Sequence, residues 1–167
     1  AENYDMNNAQ VIVDALLGTG VQGAVREPFY SLINAVNESA AFVYAVDVPS
    51  GVNADTGEVA NVAIRANKTI TFVLPKKGFY LQQGPQFIGE IVCADISVPL
   101  SLVQTLNLDL PTCITHDLGK GAVPKRLAHG HKGTFGHVLI IGGCQNYVGA
   151  TMYTAKAAFH SGAGLVT

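Results

Sequence analysis

A short apolar run that leads into a glycine-rich loop is the feature that most constrains how this chain folds. Residues 11–17 are apolar except for Asp14, and such a run is typical of a buried parallel strand. A buried aspartate is costly unless it is paired or coordinated. The loop that follows contains Gly18, Gly20 and Gly23. Glycines let a backbone approach a ligand, and free N–H groups favour an anion such as a pyrophosphate. We therefore predict a ligand-binding edge closed by Arg26, or else a tight strand-to-helix connection.

The composition favours a globular enzyme or small-ligand protein. Hydrophobic residues make up 49% of the 167 residues and charged residues 13%, which is ample for a buried core. A net charge of −2 gives no reason to expect nucleic acid or an anionic membrane as partner. The three cysteines are widely spaced without a CxxC motif, so we expect no disulfide framework or zinc site and a reducing, cytoplasmic location. The sequence does not determine the oligomeric state, and a homo-oligomer is one of the alternatives.

Strand and helix patterns alternate over the first hundred residues, as a parallel α/β fold requires. Pro28 suits the first turn of a helix, and apolar residues follow at helical spacing. These helix positions are Phe29, Leu32, Ile33 and Val36. Beyond the first strand, apolar runs bounded by proline and glycine predict three more strands, at residues 41–48, 69–74 and 90–96.

The chain then loses its periodicity and starts a second unit. We assign residues 1–112 to a first domain, 113–128 to a linker and 129–167 to the start of another domain. The second unit is predicted to contain a strand over 137–141 and a helix over 149–161. Met152, Ala155 and Phe159 should share one side of that helix, with Gly162 as its cap. The two chain ends suggest a piece of a longer protein, although a short protein with processed ends is an alternative.

Two aspartates should meet at the carboxyl edge of the predicted sheet. Asp14 and Asp47 each end a neighbouring strand, and ligands of open α/β sheets bind at that edge. Ser50 adds a hydroxyl across a Pro-Ser-Gly turn, and such oxygen ligands suit Mg²⁺, Ca²⁺ or an alkali ion. Alternatively, one aspartate is a general acid or base whose pKa the other raises. Asp47 could also be only a hydrogen-bonded turn residue.

Three segments carry a resemblance to a known family. VDALLGTGVQGAVREPF, AVDVPSGVNADTGEV and TITFVLPKKGFYLQQGPQFIGEIVCADISVP resemble successive motifs of the NAD(P)H-hydrate epimerase family, also called the YjeF N-terminal domain. HKGTFGHVLIIGGCQNYVGATMYTAKAAFHSGAGLVT is similar to the opening of the NAD(P)H-hydrate dehydratase domain. The resemblance to bifunctional repair enzymes covers nearly the whole chain. It implies an α/β fold: the C-terminal half of a Rossmann-like parallel-sheet domain, then the first strand-helix unit of a ribokinase-like domain.

The resemblance also implies roles for individual residues. Asp14 and Ser50 would help to bind a potassium ion (K⁺), and Asp47 would contact the substrate as its acid or base. Arg26 would hold phosphate. Lys76 matches a lysine of the family pattern and would bind the substrate, although a solvated loop lysine is an equal alternative. The residues that would line the substrate are Gly18, Thr19, Gly20, Val21, Gln22, Gly23 and Ala24 of the loop, together with Ala150 in the second unit.

The implied reaction is repair of hydrated nicotinamide dinucleotides, NAD(P)HX. The first domain would interconvert the R and S epimers at C6 of the ring, by transient opening or dehydration. The dehydratase domain would use ADP or ATP to phosphorylate the S epimer and eliminate phosphate. The family loop NNGGDG is absent from residues 1–10, so these 167 residues alone are expected to be inactive. The alternatives are a non-catalytic YjeF N-terminal-like binding module, which would not need the acidic motifs, and a sugar or hydroxymethylpyrimidine kinase relative.

Overall fold

A computed structural model describes Met6 and residues 8–20, 22–123 and 125–167. The chain divides into two compact units, Ala1–Pro111 and Thr112–Thr167. Each unit is described by itself below. No helix in the described ranges is both long and apolar enough to span a membrane.

The first unit is built on a parallel sheet of four strands that follow one another in chain order. The strands are β1 (Val11–Asp14), β2 (Phe42–Val46), β3 (Lys68–Phe72) and β4 (Glu90–Ala94). Val11 lies opposite Phe42, and Lys68 pairs with both Tyr44 and Glu90. The predicted α/β class and parallel sheet are confirmed, and all four carboxyl ends point to the same edge.

β2, β3 and β4 are all shorter than predicted, and in β2 and β3 the strand ends at a residue with a positive φ. β2 stops before Asp47, at φ 64°, and β3 stops before Val73, at φ 65°. A left-handed backbone cannot continue a β-ladder. Both positions therefore turn the chain sharply at the carboxyl edge of the sheet.

One helix covers one face of this sheet. Helix α1 (Phe29–Glu38) begins directly after Pro28, as predicted, and buries Ile33 and Val36 against Val43 and Ala45 of β2. On the opposite face, apolar side chains of β1 and β2 are exposed, among them Val11 and Val13 at 56% and 63%. The expectation of a β1 buried on both faces is wrong for the described residues, because they place no comparable layer there.

A second apolar cluster fixes the loops beyond β2 and β3. Phe79 is fully buried with Val48, Val52 and Ile88, and lies in a 3₁₀ turn at Lys77–Tyr80. A further 3₁₀ turn spans Gly84–Gln86. The backbone N–H of Gly78 donates to the carbonyl of Ala54 at 2.7 Å. The loop after β2 and the loop after β3 are thus packed together by both apolar contacts and backbone hydrogen bonds.

Two short helices lie in the aperiodic region that begins after β4. Helix α2 (Leu100–Thr105) belongs to the first compact unit. Helix α3 (His116–Ala122) falls within the predicted linker and has no buried residue. The Thr115 side chain caps α3 by accepting from the N–H of Leu118.

The second unit contains one parallel βαβ arrangement. A 3₁₀ turn (Lys132–Phe135) precedes β5 (His137–Val138), helix α4 (Gly149–His160) and β6 (Leu165–Val166). β5 and β6 pair in parallel, with His137 opposite Leu165. The predicted helix is present, and Gly162 ends α4 at φ 106°. The strand predicted over 137–141 is confirmed only at His137–Val138, because only these two residues pair with β6.

The predicted apolar side of α4 is wrong in part. Met152 and Phe159 are 58% and 54% exposed, whereas Thr151, Ala155 and Ala158 are the half-buried positions. The side of a helix that is buried depends on what packs against it, and here that layer is a sheet of two short strands. The small side chains therefore face the described part of the unit.

Candidate functional site

The buried aspartate of β1 is paired with Ser50. Asp14 is 2% exposed and ends β1. The backbone N–H of Ser50 donates to Oδ2 at 2.8 Å, and the Ser50 hydroxyl donates to Oδ1 at 2.6 Å. The N–H of Leu16 lies 3.3 Å from the same Oδ1. The structure thus brings together the two residues expected to bind a metal, and Ser50 supplies the partner that a buried aspartate requires.

The oxygen atoms around this pair fit the chemistry of a hard cation. Ser50 Oγ accepts from the N–H of Leu17 at 2.9 Å and lies 3.3 Å from the Leu17 carbonyl oxygen. A carboxylate, a hydroxyl and a carbonyl therefore converge, which suits a hard cation such as Mg²⁺, Ca²⁺ or an alkali ion and not zinc. In the described ranges no three His, Cys, Asp or Glu side chains cluster to hold a metal. Any cation here would rely on these oxygens and the backbone.

Asp47 lies in a tight turn that follows β2. The N–H of Val48 donates to the carbonyl of Val46 at 2.8 Å across Asp47 at φ 64°. This hydrogen bond and φ define a classic γ-turn, which is a rare and strained conformation. Strained residues cluster at active sites and ligand clamps. The turn holds the carboxylate of Asp47 at the edge where ligands of parallel sheets bind.

The Asp47 carboxylate is held from β3 and the loop beyond it. Oδ1 accepts from Lys76 Nζ at 2.8 Å, from Thr71 Oγ1 at 3.0 Å and from the N–H of Phe72 at 3.2 Å. No donor among the described residues reaches Oδ2. Asp47 is thus a hydrogen-bonded turn residue whose side chain is held from a neighbouring strand and loop and not from its own turn. Asp47 and Asp14 also have different partners, so the cation candidate involves Asp14 and not both aspartates.

Opposing effects set the pKa of Asp47. Partial burial raises its pKa, but the hydrogen bonds from Lys76, Phe72 and Thr71 and the Lys76 charge together lower it. The net pKa is lower than usual, so the carboxylate is ionised at neutral pH and carries no proton, and the same shift makes it a weaker base. This direction is opposite to that of the alternative in which a second aspartate raises the pKa.

The lowered pKa predicts a pH-dependent contribution of Asp47 to stability. An aspartate with a depressed folded-state pKa stabilises above its unfolded pKa, and this contribution is lost as pH falls through the folded pKa. The difference in unfolding free energy between wild type and Asp47→Asn should be constant near neutral pH and shrink below about pH 4. Urea denaturation over a pH series measures it. A difference that stays constant, or grows in acid, contradicts this prediction.

The glycine loop lines a cavity of about 350 Å³. Its lining residues are Leu17, Gly18, Gly20, Gln22, Ala24, Val25, Arg26 and Phe29. Five predicted substrate residues are thus brought together. Thr19 is exposed and does not line the cavity, and Val21 lies outside the described residues. Gly23, at φ 75°, instead joins Gly51, Asn53, Glu58 and Ala60 around a second cavity of about 260 Å³.

The glycines of this loop have open space around them. A Cβ built on Gly18 or Gly20 meets no atom of the described chain within 4 Å, and neither has a positive φ. Their small size is therefore not explained by a tight connection. By contrast, a Cβ on Gly57, at φ 75°, would collide with the carbonyl oxygens of Leu81 and Gly78. The open glycines leave room for a ligand against the backbone.

This contrast predicts different effects of alanine at two glycines. Gly57→Ala should destabilise the chain by about 2–4 kcal/mol because it combines an unfavourable φ with a backbone clash. Gly20→Ala should change the unfolding free energy by less than about 0.5 kcal/mol. Urea denaturation of both variants checks this. Equal destabilisation would show that Gly20 is also required for packing.

The other predicted site residues differ in their surroundings. Lys76 is only 22% exposed and fixed on Asp47, so the interpretation of a solvated loop lysine is wrong. Ala150 is exposed in the first turn of α4, in the second unit. The side chain of Lys76 thus belongs to the Asp47 cluster, whereas Ala150 is described only within its own unit.

Two residues near the site were not predicted from sequence. Thr71 is fully buried in β3 and donates to Asp47. Asn61 holds the end of the glycine loop, since its side-chain amide accepts from the N–H of Val25 at 2.9 Å and donates to the Val25 carbonyl at 3.0 Å. A hydroxyl in a buried strand was a usable signal for Thr71. Nothing in the sequence distinguished Asn61 from an ordinary loop residue.

Comparisons with known proteins agree with the motifs at this edge. Residues 1–78 match the family described as YjeF-related protein N-terminus. The chain is 43% identical over 159 residues to the "Bifunctional NAD(P)H-hydrate repair enzyme Nnr" of Coxiella burnetii, covering 95% of this chain and 32% of that protein. Proteins of the same name from Moorella thermoacetica and Methanothermobacter thermautotrophicus are 40% and 43% identical, with 95% of this chain and 30% and 29% of theirs covered.

The chain spans about a third of the length of the curated relatives it matches. The resemblance stated from its motifs is confirmed by these matches. Residues 1–78 thus match the YjeF-related protein N-terminus family, and nearly the whole chain is similar to one segment of the bifunctional NAD(P)H-hydrate repair enzymes.

Proposed function

We propose that the first unit supplies part of an NAD(P)H-hydrate epimerase site. The whole protein would interconvert R- and S-NAD(P)HX and dehydrate the S epimer with ADP or ATP, the second unit being the start of a ribokinase-like dehydratase domain. The observation that carries the proposal is the ionised carboxylate of Asp47, fixed through Oδ1 at the carboxyl edge of the sheet. The names of the relatives support the same reaction.

The ionised state of the Asp47 carboxylate at neutral pH leads us to propose ring opening, not dehydration, as the route of epimerisation. An ionised carboxylate cannot protonate a leaving hydroxide, but it can take the proton of the C6 hydroxyl. The C6–O bond then becomes a carbonyl as the C6–N1 bond breaks, and its electron pair goes to N1. Asp47 returns the proton to N1. Rotation of the freed carbonyl and reclosure from the other face give the opposite epimer, with no net gain or loss of protons.

The dinucleotide would lie along the glycine loop. The open backbone beside Gly18 and Gly20 suits the close approach of a pyrophosphate, and Arg26 lines the same cavity. Thr19, Val21, Gln22, Gly23 and Ala24 complete this proposed wall. Ala150 stays a proposed substrate contact of the dehydratase part.

Potassium is the cation that we propose for the oxygen cluster. Asp14, Ser50 and the Leu17 carbonyl would hold it, and their oxygen chemistry fits. When bound, it would supply positive charge beside the anionic substrate. The role of the protein residues is to present these oxygens and to tie β1 to the loop after β2.

An epimer assay tests the proposal. Separated R- and S-NADHX are incubated with the whole protein, without ADP or ATP, and both epimers are quantified over time by chromatography. We expect each pure epimer to approach the equilibrium mixture faster than without protein. The 167-residue chain by itself is expected to show no turnover. A folded whole protein that leaves both epimers at their spontaneous rates would instead support a non-catalytic binding module.

A further inference from the structure

The N–H donors of Lys76 are all directed to acceptors within the protein, so none is free to bind a substrate. Its ammonium group lies 2.8 Å from Asp47 Oδ1, 3.1 Å from the Phe72 carbonyl and 3.4 Å from the Leu74 carbonyl. A lysine carries three N–H donors, so each has an acceptor within the protein. Direct binding of phosphate would require Lys76 to break at least one of these contacts. Its placement is that of a group that holds another residue.

A strained turn after β3 positions the two carbonyls that contact this ammonium group, and we call this turn with its two carbonyls the γ-turn cradle. The N–H of Leu74 donates to the Phe72 carbonyl at 2.7 Å across Val73 at φ 65°, which is a second classic γ-turn. A positive φ is a genuine outlier for a β-branched residue. The turn brings the carbonyls of Phe72 and Leu74 to the same Nζ. Strain of this kind persists only where the surrounding structure holds it.

The end of β3 contacts both the carboxylate of Asp47 and the ammonium group of Lys76. Phe72 donates its N–H to Asp47 Oδ1 and offers its carbonyl to Lys76. Thr71 adds a hydroxyl to Oδ1 from its fully buried position. Three donors therefore converge on one carboxylate oxygen, and none from the described residues reaches the other. The carboxylate cannot rotate without losing charge-assisted hydrogen bonds.

We propose that Lys76 is a positioning residue for Asp47: it clamps Oδ1 through the γ-turn cradle, so that Oδ2 is the oxygen that meets the substrate. This inference rests on the proposed epimerase function. It replaces the role in substrate binding that the sequence resemblance implied for Lys76. The two roles differ in what they predict, since a substrate-binding lysine mainly affects KM, whereas a positioning residue mainly affects kcat.

The kinetic test compares Lys76→Met, Lys76→Arg and a neighbouring control in the whole protein. Lys76→Met should lower kcat for epimerisation about 100-fold through misplacement of the carboxylate, with KM changed less than about twofold. Its acid limb in the kcat profile should move to higher pH, because Asp47 loses a partner that favours its charged form. Lys76→Arg should recover part of both effects. Lys77→Met removes an exposed lysine at the next position and should match wild type.

A spectroscopic experiment tests the role of Lys76 independently of the proposed epimerase function. The carboxyl ¹³C signal of Asp47, titrated in wild type and Lys76→Met, should show a higher pKa in the variant, and far-ultraviolet circular dichroism confirms that the variant is folded. An unchanged Asp47 titration overturns the inference, as does a large rise in KM at unchanged kcat. If wild type does not interconvert the epimers, the proposed function fails, and the titration alone then decides whether Lys76 holds Asp47.

Discussion

Asp47→Asn in the whole protein should lower the rate of epimer interconversion by about 10²–10⁴-fold, the range for loss of a general acid or base. Asparagine keeps the size of the side chain and tolerates a positive φ, so the γ-turn should persist. Its amide oxygen can still accept from Lys76, Thr71 and Phe72. What is lost is the ability to take a proton. The measurement is the initial rate of epimer exchange at saturating NADHX.

The matched control for this variant is Asp55→Asn, which neutralises an exposed aspartate in the loop after β2. Its rate should equal that of wild type. An Asp47→Asn protein that keeps more than about a tenth of the wild-type rate would exclude Asp47 as the proton-transfer group. Dehydration of S-NADHX with ADP or ATP should be unaffected in both variants, because the proposed dehydratase chemistry does not use Asp47.

Asp14→Ala should give the second large effect, on stability. Removal of the carboxylate leaves the N–H and hydroxyl of Ser50 without their main acceptor in a buried place. An unpaired buried donor costs about 1–3 kcal/mol, so the expected loss is about 2–5 kcal/mol. Partial recovery is expected because the Ser50 hydroxyl can turn to the Leu17 carbonyl. Urea denaturation of the 167-residue chain measures the change in unfolding free energy.

Asp109→Ala is the comparison for this stability measurement. Asp109 is exposed, so its replacement should change the unfolding free energy by less than about 0.5 kcal/mol. A similarly small effect of Asp14→Ala would mean that the Ser50 contacts do not hold β1 to the loop after β2. The cation proposal would then lose its structural basis as well.

The sheet and α1 were predictable because the spacing of apolar residues and the positions of proline and glycine indicate the same elements. Apolar runs bounded by proline and glycine located all four strands, and Ile33 and Val36 at helical spacing identified the buried side of α1. The strand ends were less predictable. Valine is not a turn residue, so nothing in the sequence indicated the γ-turn at Val73 that ends β3.

The candidate site was predictable where it depends only on the rule that ligands bind at the carboxyl edge of a parallel sheet. Asp14 ends β1 and Ser50 follows the neighbouring parallel strand β2, and the structure places them in contact. The partnership of Asp47 with Lys76 was not predictable, because it depends on how the loop after β3 folds back. The sequence suggested that Asp14 and Asp47 share one cation site. In the structure Asp47 instead forms an ion pair with Lys76.

Burial in the second unit could not be predicted from α4 alone. Spacing placed Met152, Ala155 and Phe159 on one side, but only Ala155 among them is half-buried. Which side of an amphipathic pattern is covered depends on the neighbouring layer, and that information lies outside the helix. The short β5–β6 pair covers the small residues.

The most direct test of the account is a crystal structure of the whole Asp47→Asn protein soaked with NADHX. The variant should trap the substrate because it lacks the proton acceptor. We predict the hydrated ring with its C6 hydroxyl in hydrogen-bond contact with residue 47, on the side away from Lys76, and the pyrophosphate along residues 18–26. A dinucleotide bound elsewhere, with this edge empty, would contradict the central claim that the carboxyl edge of the first unit is the epimerase site.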